Sequence, residues 1–310
     1  LYPDPGAAEL TGVLADHYGL KPDQVFVGVG SDDVLAMAFL TFFNSDRPIL
    51  FPDITYSFYS VWADLFRIPY ERPALDADFK ICKEDYYREN GGVIFPNPNA
   101  PTAIFEELDA VEDIIRHNQD SVVIVDEAYV DFGGVSAMSL VDKYDNLLVV
   151  QTFSKSRAMA GIRIGFAVGS KKAIGYLKDV KFSFNSYTMN APSIAWGTAS
   201  IRDDGYFKET VGKIINTRER VKKELAGLGF TFPDSMSNFI FASHETIPAA
   251  ELFQALKQEG IYVRYFNKPR IDNYLRITVG TDEEMDRLLT FLKQIIHKSK
   301  PLLISKLVQV

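Results

Sequence analysis

The chain has 310 residues, 47% of them apolar and 24% charged, an ordinary globular composition that excludes a disordered or fibrous protein. Lysine and arginine total 33 against 41 acidic residues, a net charge of −8, and no long basic block is present to engage nucleic acid or an anionic membrane. The single cysteine, Cys82, excludes an internal disulfide and a cysteine-based metal cluster and fits a reducing, cytoplasmic setting.

The opening Leu1-Tyr2-Pro3-Asp4-Pro5-Gly6 reads as the middle of a protein rather than a start, and no signal-peptide pattern is visible. From there, short apolar or β-branched runs predict strands at 24–29, 48–51, 92–95, 121–125, 147–152 and 162–168. Helical spacing predicts helices at 31–43, 57–66 and 106–118 between them. Runs such as Val122-Val123-Ile124-Val125 are apolar throughout, as expected of strands covered on both faces, so the pattern is α/β with a mostly parallel sheet. The longest apolar stretch, 34–43, is shorter than the ~20 residues of a bilayer span.

After residue 200 the texture changes. A long charged amphipathic helix is predicted at 206–228, with Gly227 and Gly229 as its stop. Strands at 238–242, 261–265 and 274–279, a helix at 248–259 and a final helix at 282–297 follow. The expected division is a large cofactor-binding domain over 1–204, a connecting helix over 205–228 and a small α+β domain over 229–310. His17, His117, His244 and His297 are too scattered to form a local metal-ligand pair and read as surface or satisfied side chains, and no metal is expected.

Open α/β sheets bind ligands at the carboxyl ends of their strands, and four such ends carry unusual polar residues. Val27-Gly28-Val29-Gly30-Ser31-Asp32-Asp33 leads a strand through glycines into a helix that Ser31 is expected to cap, so the backbone of Ser31 and Asp32 could hold a phosphate. It begins like a dinucleotide fingerprint, but Asp33 stands where that motif needs its third glycine. In Val125-Asp126-Glu127-Ala128-Tyr129 a carboxylate ends a buried strand, which costs several kcal/mol unless a cation or strong donor faces it; a cation is expected. In Gln151-Thr152-Phe153-Ser154-Lys155-Ser156, with Arg163 eight residues past the lysine, Lys155 occupies a position lysine normally avoids and suits attack on a carbonyl. Phe95-Pro96-Asn97-Pro98-Asn99-Ala100-Pro101-Thr102 is a proline-stiffened loop that holds amide side chains in place.

Together these pieces match the needs of pyridoxal phosphate: a lysine for its aldehyde, a carboxylate for its pyridine nitrogen, a donor to its phenolic oxygen, an aromatic ring on its face and a phosphate cup. Lys155, Asp126, Tyr129, Tyr56 and the set Ser31, Ser154 and Arg163 supply them in that order.

With those residues placed, the chain resembles the fold-type I pyridoxal-phosphate aminotransferases and, within them, the histidinol-phosphate aminotransferases. The resemblance runs over essentially the whole chain, through Tyr2-Pro3-Asp4-Pro5, Gly30-Ser31-Asp32-Asp33, the turn at 52–56, the loop at 97–102, Asp126-Glu127-Ala128-Tyr129, Ser154-Lys155, Gly161-Ile162-Arg163 and Leu275-Arg276-Ile277-Thr278-Val279-Gly280-Thr281. It implies a seven-stranded, mostly parallel large-domain sheet and a smaller C-terminal α+β domain. It implies Lys155 as the covalent anchor and proton shuttle, Asp126 as partner of the pyridinium and Tyr129 as donor to the phenolic oxygen. Tyr56 would stack on the ring, and Ser31, Asp32, Ser154 and Arg163 would hold the phosphate. Tyr2 would reach that phosphate from a neighbouring copy, so a homodimer is implied. Arg276, with Arg264, would bind the anion of the substrate, because one guanidinium fork can accept either a phosphate or a carboxylate.

Two departures from the family pattern stand out. Ala100 occupies the place of the asparagine common before Pro-Thr-Gly, which leaves Asn99 to contact the phenolic oxygen, and the family's N-terminal arm, which closes over the substrate, is expected to lie ahead of Leu1. The implied reaction is ping-pong amino transfer between histidinol phosphate, a phosphorylated amino alcohol, and 2-oxoglutarate, forming glutamate. A threonine-phosphate decarboxylase or an aromatic amino-acid aminotransferase on the same scaffold is the alternative, and a non-catalytic cofactor-binding regulatory module is the reading from another class.

Overall fold

The structure, a computed structural model, describes residues 1–307, with side chains described over 1–297. Its larger sheet has seven strands: β1 (Val25–Gly28), β2 (Ile49–Leu50), β3 (Tyr70–Glu71), β4 (Gly92–Pro96), β5 (Val123–Asp126), β6 (Leu147–Thr152) and β7 (Gly165–Gly169). Their order is β1-β7-β6-β5-β4-β2-β3, and only β7 runs antiparallel to its neighbours.

Alternate residues of these strands serve two separate cores, which is why the runs are continuously apolar. Val93, Phe95, Val123, Val125, Leu147 and Val149 face one side, packed with helices α1 (Ala8–Tyr18), α4 (Leu108–His117) and α6 (Ala191–Arg202). Ile94, Ile124, Leu148 and Val150 face the other, packed with α2 (Ser31–Phe42), α3 (Phe58–Phe66) and α5 (Lys171–Phe184). Helices α1, α5 and α6 go beyond the three that the spacing singled out; each contains a glycine, at 12, 175 and 197, which weakens the helical pattern in sequence.

The strand expected at 162–168 starts later. A 3-10 turn at Ala160–Ile162 and a left-handed residue, Arg163, precede β7. Helix α7 (Asp204–Gly227) then leads to β8 (Phe230–Thr231), β9 (Phe239–His244), α8 (Ala249–Gln258), β10 (Arg264–Tyr265), β11 (Leu275–Thr278) and α9 (Asp282–Leu307). The last helix runs past the expected stop at residue 297. Strands β10-β11-β9-β8 form an antiparallel four-stranded sheet.

This sheet also has two different faces. Ile240, Ala242, Leu275 and Ile277 pack on Val221 and Leu225 of α7, Leu252 of α8 and Leu289 of α9. On the other face Phe241 joins Ile54, Leu75, Phe79, Ile104 and Ile271, and Phe239 joins Ala100, Ala103 and Tyr129. Period-two alternation therefore places Arg276, between Leu275 and Ile277, on the face turned toward the large sheet. Buried Arg218 of α7 spans the same boundary, donating to the Phe132 carbonyl at 2.7 Å and the Ser237 carbonyl at 2.9 Å.

Candidate active site

The parallel strands end along one edge of the large sheet, and the register brings the loaded ends side by side. Gly28 pairs with Gly165, which pairs in turn with Thr152; Pro96 pairs with Asp126, which pairs with Val150. At the first of these ends Gly30, at φ +85°, is the helix cap, and Ser31 is the first helical residue with no side-chain capping bond. This corrects the expectation that Ser31 caps α2. Asp33 folds back to accept from the Val29 N–H at 2.8 Å, so it braces the turn.

The first-turn N–H groups of α2 have no acceptor inside the helix and carry the positive end of its dipole. Beside them the chain is stripped of side chains. A Cβ on Gly30 would lie 2.2 Å from Arg163 Nη2, and one on Gly165 would lie 2.3 Å from the Ser31 nitrogen. Arg163 Nη1 donates to Ser154 Oγ at 3.4 Å and to the Ala160 carbonyl at 3.1 Å, and Nη2 lies 4.0 Å from Asp32. Ser31, Asp32, Ser154 and Arg163 are thus brought together as a seat for an anion, combining a guanidinium, a hydroxyl and a helix start.

Asp126 is 5% exposed. The tyrosine hydroxyl of Tyr59 donates to its Oδ2 at 2.7 Å, and the Ala128 N–H makes a longer 3.3 Å bond to Oδ1. The Tyr59 hydroxyl is thus the strong donor that faces Asp126 on Oδ2. Burial pushes the Asp126 carboxyl up to about 6; the Tyr59 and Ala128 bonds and the Lys155 charge oppose that shift, and Asp32 adds to it. The adjoining Glu127 serves the scaffold instead. It accepts from Ser136 Oγ at 2.5 Å, the Ala137 N–H at 2.6 Å and Gln151 Nε2 at 2.8 Å, tying the following loop to β6.

Tyr56, just ahead of α3, donates its hydroxyl to Asp32 at 2.9 Å, and its ring meets Tyr59 edge-on at 5.7 Å. Lys155 lies beyond the end of β6, half-buried, and its Nζ has no hydrogen bond or ion pair among the described residues and is 5.5 Å from the centroid of the Tyr129 ring. Tyr129 meets Phe239 edge-on at 5.1 Å, and the Arg276 guanidinium lies 5.0 Å from the centroid of Phe239. Two rings thus connect the lysine on the large sheet to the arginine on the small one. Arg264 is the direct cross-strand partner of Arg276, and the Arg276 Nε is buried without a hydrogen-bond partner.

Two expected residues stand apart. Asn99 turns into its own loop: Nδ2 donates to the Ile54 carbonyl and to Thr102 Oγ1, both at 3.0 Å. That corrects its reading as a donor to a phenolic oxygen, because both amide hydrogens are committed and only a buried, unpaired Oδ1 remains. Tyr2 is 80% exposed and stacks on Tyr187 at 4.7 Å, away from the residues above. Sequence reasoning missed Tyr59 and Phe239. The Tyr56-x-x-Tyr59 spacing was a usable signal for the first, whereas Phe239 reads in sequence only as an apolar strand residue.

The family model described as "Aminotransferase class I and II" matches residues 1–292. The chain is 50% identical over 300 residues to the histidinol-phosphate aminotransferase of Lactococcus lactis subsp. lactis (strain IL1403), covering 97% of this chain and 83% of that protein. Among solved structures it resembles the histidinol-phosphate aminotransferase from Clostridium acetobutylicum (TM-score 0.88, 22% identity, 96% of this chain and 91% of that one). It also resembles the one from Sinorhizobium meliloti in complex with pyridoxal-5'-phosphate (TM-score 0.86, 22% identity, 96% of this chain and 83% of that one). A matched family model over nearly the whole chain, on a sheet whose loaded strand ends carry the lysine, buried acid and anion seat, establishes that this chain belongs to the class I and II aminotransferase family.

Proposed function

We propose that this protein is a pyridoxal-phosphate-dependent aminotransferase that moves an amino group between histidinol phosphate and 2-oxoglutarate. The observation that carries the substrate assignment is the half identity, over nearly the full chain, to the Lactococcus lactis relative. The site fits the cofactor because the helix start at Gly30 and Ser31, the Ser154 hydroxyl and the Arg163 guanidinium converge, with glycines at 30 and 165 allowing the close approach, as a phosphate requires. When bound, pyridoxal phosphate supplies an electron sink that loosens the bonds at the amine-bearing carbon.

The chain's own residues divide the remaining work. Ser31, Asp32, Ser154 and Arg163 hold the phosphate. Asp126 would keep a proton on the ring nitrogen, Tyr129 would donate to the phenolic oxygen, and Tyr56 would stack on the ring. Lys155 Nζ would anchor the cofactor and would move a proton at the substrate carbon. Arg276 and Arg264 grip the phosphate of one substrate and a carboxylate of the other, which lets both use a single site in alternation.

The assembly we propose is a homodimer, in which Tyr2 completes the phosphate seat of the other copy. The exposed aromatic residues Tyr2, Tyr187, Phe184 and Trp196 support that reading. We divide the chain into a cofactor domain over 1–204, a connecting helix and a substrate-gripping domain over 229–310.

The direct test is a half-reaction. Mixing the cofactor-loaded protein with histidinol phosphate should convert its visible absorption band to that of the aminated cofactor, and 2-oxoglutarate should restore it with formation of glutamate. Lys155→Ala should lose the band and turnover. Conversion by phenylalanine but not by histidinol phosphate, or release of carbon dioxide from threonine phosphate, would overturn the substrate assignment.

A further inference from the structure

Tyr59 lies in the second half of the Tyr56-x-x-Tyr59 pair, and its side chain is fully buried. Its ring is fenced by Phe51 at 5.9 Å, Tyr56 at 5.7 Å, Phe39 at 6.4 Å and Trp62 at 6.3 Å. With its ring held on these sides, the hydroxyl has one fixed direction, toward Asp126 Oδ2 at 2.7 Å. A phenylalanine would fill this core without the cost of burying a hydroxyl, so the oxygen needs a reason.

The two oxygens of Asp126 are treated differently. Oδ2 is held by a short bond from the neutral Tyr59 hydroxyl, whereas Oδ1 has only the 3.3 Å contact from the Ala128 N–H. Of the charged groups around it, Asp32 disfavours the ionised carboxylate and Lys155 favours it. Desolvation disfavours the ionised carboxylate at this depth and the Tyr59 bond opposes it; a protonated acid could not hold a proton on a pyridine nitrogen.

Resting on the pyridoxal-phosphate reading above, we propose that Tyr59 is a positioning residue: its hydroxyl occupies Oδ2, keeps the carboxylate ionised, and leaves Oδ1 as the oxygen offered to the cofactor's ring nitrogen. Tyr59 touches neither the cofactor nor the substrate in this scheme and acts only through Asp126.

The test compares two ligands on cofactor-free protein: pyridoxal phosphate and its 1-deaza analogue, in which a C–H replaces the ring nitrogen. Equilibrium dissociation constants are read by fluorescence quenching. Tyr59→Phe should weaken pyridoxal phosphate about tenfold while changing the analogue by less than about twofold, the size expected from losing a hydrogen bond to a charged group. Replacing Tyr59 with 4-aminophenylalanine, which keeps a neutral N–H donor at the end of the same ring, should restore the discrimination and serves as the readout if the phenylalanine variant folds poorly. Equal weakening of both ligands, or of neither, would overturn the proposal, as would a folded 4-aminophenylalanine variant that binds both ligands alike. Failure of the unmodified protein to prefer pyridoxal phosphate over the analogue would instead count against the cofactor reading itself.

Discussion

Arg264 and Arg276 stand directly opposite each other across β10 and β11, with their guanidinium groups 5.6 and 5.9 Å from the same ring, Phe266. Like charges in opposed positions destabilise an antiparallel pair, and neither arginine has an ion-pair partner among the described residues. An anion between them relieves the repulsion. Adding inorganic phosphate should therefore raise the Tm of the cofactor-loaded protein, and Arg276→Ala should remove most of that rise. The same substitution should raise KM for both anionic substrates by about thirtyfold or more, from the loss of a charge-assisted contact, while leaving the visible absorption of the cofactor unchanged. An unchanged KM would show that the substrate anion binds elsewhere.

A second expectation concerns the bare wall of the phosphate seat. Gly30 combines φ +85° with a Cβ position 2.2 Å from Arg163 Nη2, so Gly30→Ala strains the backbone and pushes the guanidinium aside. A stability loss of about 1 kcal/mol and at least about tenfold weaker cofactor binding should follow, measured by urea unfolding and cofactor titration. Gly165→Ala should be worse, because its Cβ would meet the backbone at Gly30 and Ser31, which cannot rotate away as a side chain can. Wild-type cofactor affinity in Gly165→Ala would disprove the close approach.

A third concerns pH. Burial raises the Asp126 carboxyl from its ordinary 3.8 to about 6 in the cofactor-free fold, so between these values the folded chain binds more protons than the unfolded one. Its contribution to stability is complete below the lower value and is lost as pH rises through about 6. Asparagine cannot ionise, so Asp126→Asn should gain on the unmodified cofactor-free protein as pH rises, by up to about 3 kcal/mol at pH 8. Urea titrations at pH 4 and pH 8 measure the difference; a gap of equal size at both would refute the cause assigned here. The same variant should bind the cofactor less well.

Much of the site was legible because its chemistry is local in sequence. Lys155, Asp126 and the Gly30 turn each sit where an apolar run stops, and a buried strand that ends in a charged residue is conspicuous in one dimension. Six of the seven strands of the large sheet were legible for the same reason, since burial on both faces strips polar residues from their middles; β3, a two-residue edge strand with an exposed Glu71, was not. Helices α1, α5 and α6 were not, because an internal glycine blurs a pattern that tertiary packing then completes. Asn99 was misread for a related reason: sequence shows that an amide is present but not that both its hydrogens point into its own loop.

The sequence by itself determined the α/β pattern, the chemical inventory at the strand ends and the pairing of a lysine with a carboxylate that one cofactor requires. Only the tertiary structure decided how those groups meet. It set Tyr59 against Oδ2 of Asp126, made Gly30 the cap of α2, and linked Lys155 to Arg276 through Tyr129 and Phe239. The reason is physical: which residue types a strand end carries is written along the chain, whereas distance and direction between side chains arise from register and packing between segments far apart in it.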